Sequence, residues 1–338
     1  MLEGAIIGFG NIVVRGHIPA YLSDEGLRSR VRIRAVLDVS EQSRPAAREL
    51  LPDAAFYTDA GSLLENEKLD FVDICTPPST HAGFLKEFAA RGIHILCEKP
   101  LAESYAAALE ASRHIREQKV VFVPCHQYKY SPLWRSIHQI ISSGGIGSVV
   151  LAQCNVFRMQ ADTGTAGWNP RWRTDKAHGG GGILVDTGAH YFYLAQYLFG
   201  VPDSVSAVLR TLKHREYGVE DTALVTLEYG GMIMQLNLTW AAALRANSVT
   251  VVGTTGSLTY DGSRLVHVDQ AGSREIPMPD VSDKNQYVGW YASLLKEFLD
   301  RVEQGNRSED LLDEAVTVMQ LLDLSAGASL KGCAVKIA

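Results

Sequence analysis

Ala5-Ile6-Ile7-Gly8-Phe9-Gly10-Asn11-Ile12-Val13, followed downstream by Val36-Leu37-Asp38, reads as a strand, a glycine turn, the start of a helix and a second strand ending in an acid. That order is the signature of a dinucleotide site. Gly8 permits the tight turn after the first strand, and Gly10 lets the backbone approach a pyrophosphate at the N-terminus of the next helix, which Asn11 and Ile12 open. Asp38 is placed to accept hydrogen bonds from both adenosine ribose hydroxyls, and a 2′-phosphate there would meet a like charge. NAD(H) is therefore expected in preference to NADP(H). Val13 takes the third position of the pattern, where a small residue normally lets helix and strand pack closely, so a slightly displaced helix is expected. The same letters would also suit a glycine turn that binds nothing, in which case strand context and acid would both be coincidental.

Working outward, short β-branched runs alternate with helical patterns as far as Pro124. The strands are expected at Ala5–Gly8, Arg32–Leu37, Phe71–Cys75, His94–Cys97 and Val120–Val123, and the clearest helices at Ala82–Ala90 and Ser104–Gln118. That alternation implies a doubly wound parallel sheet, a Rossmann-type α/β domain over residues 1–124. Beyond Pro124 the strands lengthen and follow one another: Val149–Arg158, Ser204–Leu212, Ala223–Tyr229, Met232–Trp240 and Ser248–Val252. Turns such as Tyr229-Gly230-Gly231 suggest a mostly antiparallel open sheet in an α+β domain over 125–338, closed by helices Val288–Glu303 and Leu311–Lys331.

Composition agrees with a folded chain of two domains. With 338 residues and 46% hydrophobic content the chain can bury two cores. A formal charge of −6 without any basic block offers nothing to a nucleic-acid backbone or an anionic membrane surface. No apolar run reaches transmembrane length, and the first strand begins too early for a signal peptide, so a cytoplasmic location is expected. The five cysteines are scattered and lack CxxC spacing, which argues against a disulfide framework and against a zinc site, and no metal is expected.

Several loops at the carboxyl edge of the parallel sheet carry chemistry. Cys75-Thr76-Pro77-Pro78-Ser79-Thr80-His81 is stiffened by proline, and Cys97-Glu98-Lys99-Pro100 ends the next strand; both should face the cofactor. A lysine at a strand end is ordinarily a solvated charge, but one between an acid and a proline beside the nicotinamide end of a crevice is a candidate proton donor. In Gly179-Gly180-Gly181-Gly182-Ile183-Leu184-Val185-Asp186, four glycines are costly in conformational entropy and suggest a close backbone approach. If the following segment is helical, Asp186, His190, Tyr193 and Tyr197 share one polar stripe on an apolar helix. Alternatively, Asp186 complements the helix N-terminus and the rings are core residues. Trp168-Asn169-Pro170-Arg171-Trp172-Arg173 mixes aromatic faces with charges and could grip a polyhydroxylated ligand or simply pack as a loop. His126-Gln127-Tyr128 follows the last parallel strand and could line the crevice between the two halves.

Taken in order, the Gly8-Phe9-Gly10 turn, Glu98-Lys99-Pro100, the run Gly180 to His190 and the ending around Glu297-Phe298, Gly305 and Ala326 to Gly332 resemble the Gfo/Idh/MocA family of NAD(P)-dependent oxidoreductases, named for glucose-fructose oxidoreductase and inositol 2-dehydrogenase. The resemblance covers essentially the whole chain. It implies that Lys99 is the catalytic lysine, that Asp186 and His190 are an acid-base and substrate-positioning pair, and that a cis peptide bond can precede Pro100. Thr76, Pro77, His81, Glu98, Lys99 and Gln127 join the glycine turn and Asp38 as the expected cofactor set, and Tyr128, Trp172, Arg173 and Tyr193 join the catalytic residues around the substrate. Tyr193 stands where many members have an acid, so its contact differs from theirs. The implied reaction moves a hydride between NAD(H) and a secondary alcohol or ketone of a sugar, cyclitol or related polyol. Asp186 is expected to orient His190, and a homodimer or homotetramer is expected to form through the second sheet. Two rival readings keep the fold: an NAD-dependent glycosidase acting by transient oxidation and elimination, and a non-catalytic nicotinamide-binding regulator.

Overall fold

The computed structural model describes residues 1–165, 168–307 and 309–337. Its first sheet has six parallel strands: β1 Leu2–Ile7, β2 Val31–Leu37, β3 Ala55–Tyr57, β4 Phe71–Ile74, β5 His94–Cys97 and β6 Phe122–Pro124, in the order β3-β2-β1-β4-β5-β6. Order reverses between β1 and β4, and the carboxyl ends of those strands therefore part to leave a crevice. Central strands are apolar on both faces: Ala5, Ile6, Ile7, Phe71, Val72 and Ile74 are wholly buried, as helices on both sides of a parallel sheet require.

The helices start where local chemistry allows. Ser104 accepts from the Ala107 amide and caps Tyr105–Gln118. Pro77 precedes the helix Pro78–Ala89, which begins one turn earlier than its apolar spacing predicts because proline is well suited to the first helical position. After the glycine turn, the helix widens into a π turn over Val13–His17 before continuing as Ile18–Ser23. Val13 itself is fully buried.

The second sheet has nine strands: β7 Val149–Phe157, β8 Ser204–Arg210, β9 Thr222–Tyr229, β10 Met232–Thr239, β11 Ala246–Gly253, β12 Ser257–Tyr260, β13 Arg264–Asp269, β14 Gly272–Pro277 and β15 Val335–Lys336. Their order is β14-β13-β12-β11-β7-β10-β9-β8-β15. Every pairing is antiparallel except β7 with β10, which run parallel in register Ile233 with Leu151 to Thr239 with Phe157. The long helix Glu309–Lys331 packs on β8, and the helix Ala189–Phe199 packs on that long helix. That long helix ends at Gly332, in the left-handed region (φ +67°) that a glycine reaches without steric cost.

The late helices tie the two sheets together. Tyr287–Gln304 packs on the helix that follows the glycine turn, and Glu309–Lys331 packs on Tyr105–Gln118 and β6 as well as on β8. Tyr291 and Phe298 are wholly buried at these contacts, and the Phe298 ring meets Phe71 edge-on at 5.4 Å. Among the described residues no helix is long and apolar enough to cross a membrane.

Candidate active site

Two cavities meet in the crevice, and both are lined by Ile12, Cys75, Thr76, Trp172 and Arg173. The outer one runs along the glycine turn. Gly8 has φ +93°, and a Cβ there would lie 2.8 Å from the Thr76 side chain; at Gly10 a Cβ would meet nothing within 4 Å, so this backbone faces open space. Asn11 ties the helix start to the opposite half through the Thr163 carbonyl at 3.2 Å. Asp38 accepts the Phe9 and Ser40 amides, at 2.7 and 2.8 Å, one on each carboxylate oxygen. Each oxygen keeps acceptor capacity for a ribose hydroxyl. Pro77 lines this cavity.

The inner cavity collects Glu98, Lys99, Gln127, Tyr128, Asp186 and His190. Lys99 follows β5 and precedes a cis bond to Pro100. Its ammonium donates to the backbone carbonyl of Asp186 at 2.8 Å. Gln127 is buried, and its Oε1 has no hydrogen-bond partner. A buried amide acceptor left open at the cavity wall fits the carboxamide of a nicotinamide, as the glycine turn fits a pyrophosphate.

Three expected residues take different places. His81 lines neither cavity; fully buried, its Nδ1 and Nε2 lie 2.9 and 2.7 Å from the carbonyls of Pro100 and Thr76, so the ring is seated between the two loops. Burial lowers its pKa. Tyr193 is also fully buried and does not line the cavity: its hydroxyl accepts the Tyr128 amide at 2.9 Å and lies 3.3 Å from Nδ1 of His190. Asp186 does not reach His190; its carboxylate accepts Arg173 Nε at 3.2 Å, and Arg173 lies over the Trp172 ring at 4.2 Å. The reason is a π turn over Leu184–Gly188 ahead of the α-helix Ala189–Phe199, which breaks the regular spacing that would stack Asp186 on His190. Tyr197 stacks on His138.

His190 is held by its neighbours. The Tyr128 ring stacks on it at 4.2 Å and 6°, and Tyr193 engages Nδ1. Burial first, then the Lys99 ammonium, pushes its pKa well below the ordinary value, so the ring is neutral. Glu98 also lines this cavity, and its carboxylate takes hydrogen bonds from His17, Tyr291 and the Lys99 amide.

Other residues at the site carry no sequence motif. Arg158, Asp162, Arg245, Lys284 and Tyr287 line the inner cavity from the second half of the chain. Glu220 accepts the Gly182 and Leu184 amides, both at 3.0 Å, and so anchors the turn that carries Asp186. Of the loop Met159–Ala177, Ala166 and Gly167 lie outside the described residues.

A Rossmann sheet, a glycine turn with an acid at the end of the second strand, and a lysine and a neutral histidine lining one cavity fit a nicotinamide-dependent oxidoreductase. Residues 2–126 match the model of the oxidoreductase family with an NAD-binding Rossmann fold, and residues 134–259 match the GFO/IDH/MocA C-terminal domain. The chain belongs to the GFO/IDH/MocA oxidoreductase family, and NAD is its cofactor. It is 26% identical over 342 residues to D-xylose 1-dehydrogenase (NADP(+)) 2 of Haloferax volcanii, covering 98% of each chain. It is 26% identical over 230 residues to an uncharacterized oxidoreductase of Schizosaccharomyces pombe, where the match covers 68% of this chain and 60% of that protein. Levoglucosan dehydrogenase in complex with NADH superposes with a TM-score of 0.87 at 20% identity, covering 100% of this chain and 99% of that one.

Proposed function

We propose that the protein oxidises a secondary alcohol of a sugar, cyclitol or related polyol, and reduces the corresponding ketone, with Lys99 and His190 handling the reacting oxygen. The observation that supports it most is that both side chains line one cavity, and that this cavity continues into the one along the glycine turn. Relatives named for sugar substrates point the same way. When bound, NAD supplies hydride exchange at its nicotinamide; Gly8, Gly10, Asn11, Ile12 and Asp38 hold the dinucleotide end, and Thr76, Pro77 and Gln127 the ring end.

A role for His190 follows if Tyr193 is the donor to it. Tyr193 oxygen accepts the Tyr128 amide, and we assign its own hydrogen to His190 Nδ1, 3.3 Å away. The neutral imidazole then carries its hydrogen on Nε2, which has no protein partner among the described residues, and donates it to the substrate oxygen. Lys99, fixed by the Asp186 carbonyl, gives the proton to that oxygen in reduction and receives it in oxidation. Asp186 acts through Arg173 and Lys99 rather than by orienting His190.

The test is NAD+ reduction, followed at the reduced-nicotinamide band, with a panel of sugars, inositols and their keto forms. Lys99→Met is expected to lower kcat by about 10²–10⁴-fold, the usual worth of a positioned proton donor, while NADH still binds. Unimpaired turnover by that variant overturns the role given to Lys99. The same assay with NADP+ reads Asp38: NAD+ is expected to be the better cofactor.

A further inference from the structure

The inner cavity is strongly cationic for a chain whose formal charge is −6. Lys99, Arg158, Arg173, Arg245 and Lys284 line it against three carboxylates, Glu98, Asp162 and Asp186. Arg173 pairs with Asp186 at 3.2 Å and Lys284 with Asp162 at 2.7 Å. Glu98 is engaged by the buried His17. Among the described residues, Arg158 and Arg245 have no carboxylate within 4.0 Å.

Arg158 is the more telling of the two because it is only 9% exposed. Its Nη1 donates to the carbonyls of Phe157 and Ala246, at 2.7 and 3.2 Å, and to Asn247 Oδ1 at 2.9 Å. Those bonds fix the guanidinium plane through one nitrogen and leave Nε and Nη2 without an acceptor among the described residues. Arg245 is anchored in the same way, by one bond from Nη2 to the Ser282 carbonyl at 3.0 Å. A buried charge without a counter-ion is costly, and an oriented guanidinium with open donors matches the paired oxygens of a carboxylate or phosphate. Both arginines also act on the same pair of hydroxyls, Tyr128 and Tyr287, offsetting part of the rise that burial causes there. They therefore bear on one wall. That wall belongs to the inner cavity alone, since neither arginine lines the cavity along the glycine turn, so the dinucleotide's own phosphates do not account for them.

Resting on the oxidoreductase reading above, we propose that the substrate is an anionic sugar or polyol whose carboxylate or phosphate is bound by Arg158 and Arg245. Lys99 and His190 then meet a hydroxyl of the same molecule. A cationic nicotinamide in the oxidised cofactor adds to the attraction.

The experiment compares kcat/KM for matched neutral, carboxylated and phosphorylated probes: glucose, galactose and myo-inositol beside glucuronate, galacturonate, glucose 6-phosphate and inositol 1-phosphate. At least one anionic probe is expected to exceed its neutral parent ten-fold or more, chiefly through KM, and the advantage is expected to shrink as salt is raised. A carboxylate preference identifies a sugar acid; a phosphate preference identifies a sugar phosphate. Arg245→Gln, at an exposed position, is expected to cut the anionic-to-neutral ratio at least ten-fold, and Arg158→Lys keeps the charge but loses the planar fork. Neutral probes used as well as or better than every anionic partner overturn the proposal while leaving the oxidoreductase reading intact. If no probe reduces NAD+, that reading fails, and calorimetric binding in the presence of NADH decides the anion site: tighter binding of glucuronate or glucose 6-phosphate than of glucose, weakened in Arg245→Gln, supports it, and equal binding overturns it.

Discussion

His17 is an imidazole with no water contact, bonded through Nδ1 to Asp73 at 2.8 Å and through Nε2 to Glu98 at 3.1 Å. Burial alone would lower its pKa, but the two carboxylates outweigh burial and raise it to about 10. Both ring nitrogens thus donate, and Cys125 places a ligand-type atom within 4.8 Å of those of His17 and Asp73. The raised pKa sets a sign for stability. Between the ordinary histidine range near 6.5 and about 10 the folded chain holds a proton that the unfolded chain has lost, so this contribution is present in full below that window and disappears as pH rises through it. The melting temperature is expected to fall from pH 7 to pH 10, with a shallower fall in His17→Gln; equal slopes by calorimetry would refute the assignment. Nothing in the sequence marks this trio, because residues 17, 73 and 98 are brought together only when the helix after the glycine turn packs on β4 and β5. Lys99, one residue on, was readable from its acid and proline neighbours; the buried partners that hold Glu98 were not.

The four glycines at 179–182 are explained by one short element. A Cβ on Gly182 would lie 2.0 Å from the Glu220 carbonyl oxygen, one on Gly180 would lie 2.9 Å from the Glu103 carbonyl and is further disfavoured by φ +80°, and one on Gly181 would meet Val185 at 2.5 Å. Backbone crowds backbone here, as the run of glycines predicts, and the approach is to the chain itself as well as to the cavity that Gly179 and Gly181 line. Gly182→Ala is expected to cost about 1–3 kcal/mol, the usual range for overpacking, read as a lower urea midpoint. Activity should fall with it, because the displaced turn carries Asp186 and, through Asp186, the Lys99 ammonium. A stable variant with normal activity would contradict this account. The next element shows the limit of periodicity: i, i+4, i+7 spacing assumes an α-helix throughout, whereas the π turn at Leu184–Gly188 shifts Asp186 off the face that His190 and Tyr193 share on the helix that follows.

Across the whole molecule, the open sheet leaves apolar side chains exposed on one face. Leu151, Val208, Leu224, Ile233 and Val268 are each 42–47% exposed, and Leu151 pairs with Ile233, and Val208 with Leu224, across neighbouring strands. Exposed apolar side chains spread over four neighbouring strands, among polar ones such as Thr226, Glu228 and Gln235, suit a self-complementary contact, and we propose that a second copy covers this face. Leu224→Asp with Ile233→Asp is expected to lower the sedimenting mass to that of one chain while far-UV dichroism stays unchanged; a monomeric parent would refute the proposal. The amino-acid order alone was enough to specify the parallel sheet, the glycine turn with Asp38, Lys99 in its motif and the antiparallel second sheet, because each is written in neighbouring residues through periodicity, turn chemistry and short spacing. It did not contain β3, which is three residues long, or the late strands β12 to β14, whose alternation is brief. Nor did it contain the partners of His17, the seating of His81 between two loops, the tilt of Asp186 toward Arg173, or the meeting of Arg158 and Arg245 on one wall. Most of those depend on contacts between residues far apart in the chain, and such contacts come into being only when packing of the two sheets and the late helices closes the crevice.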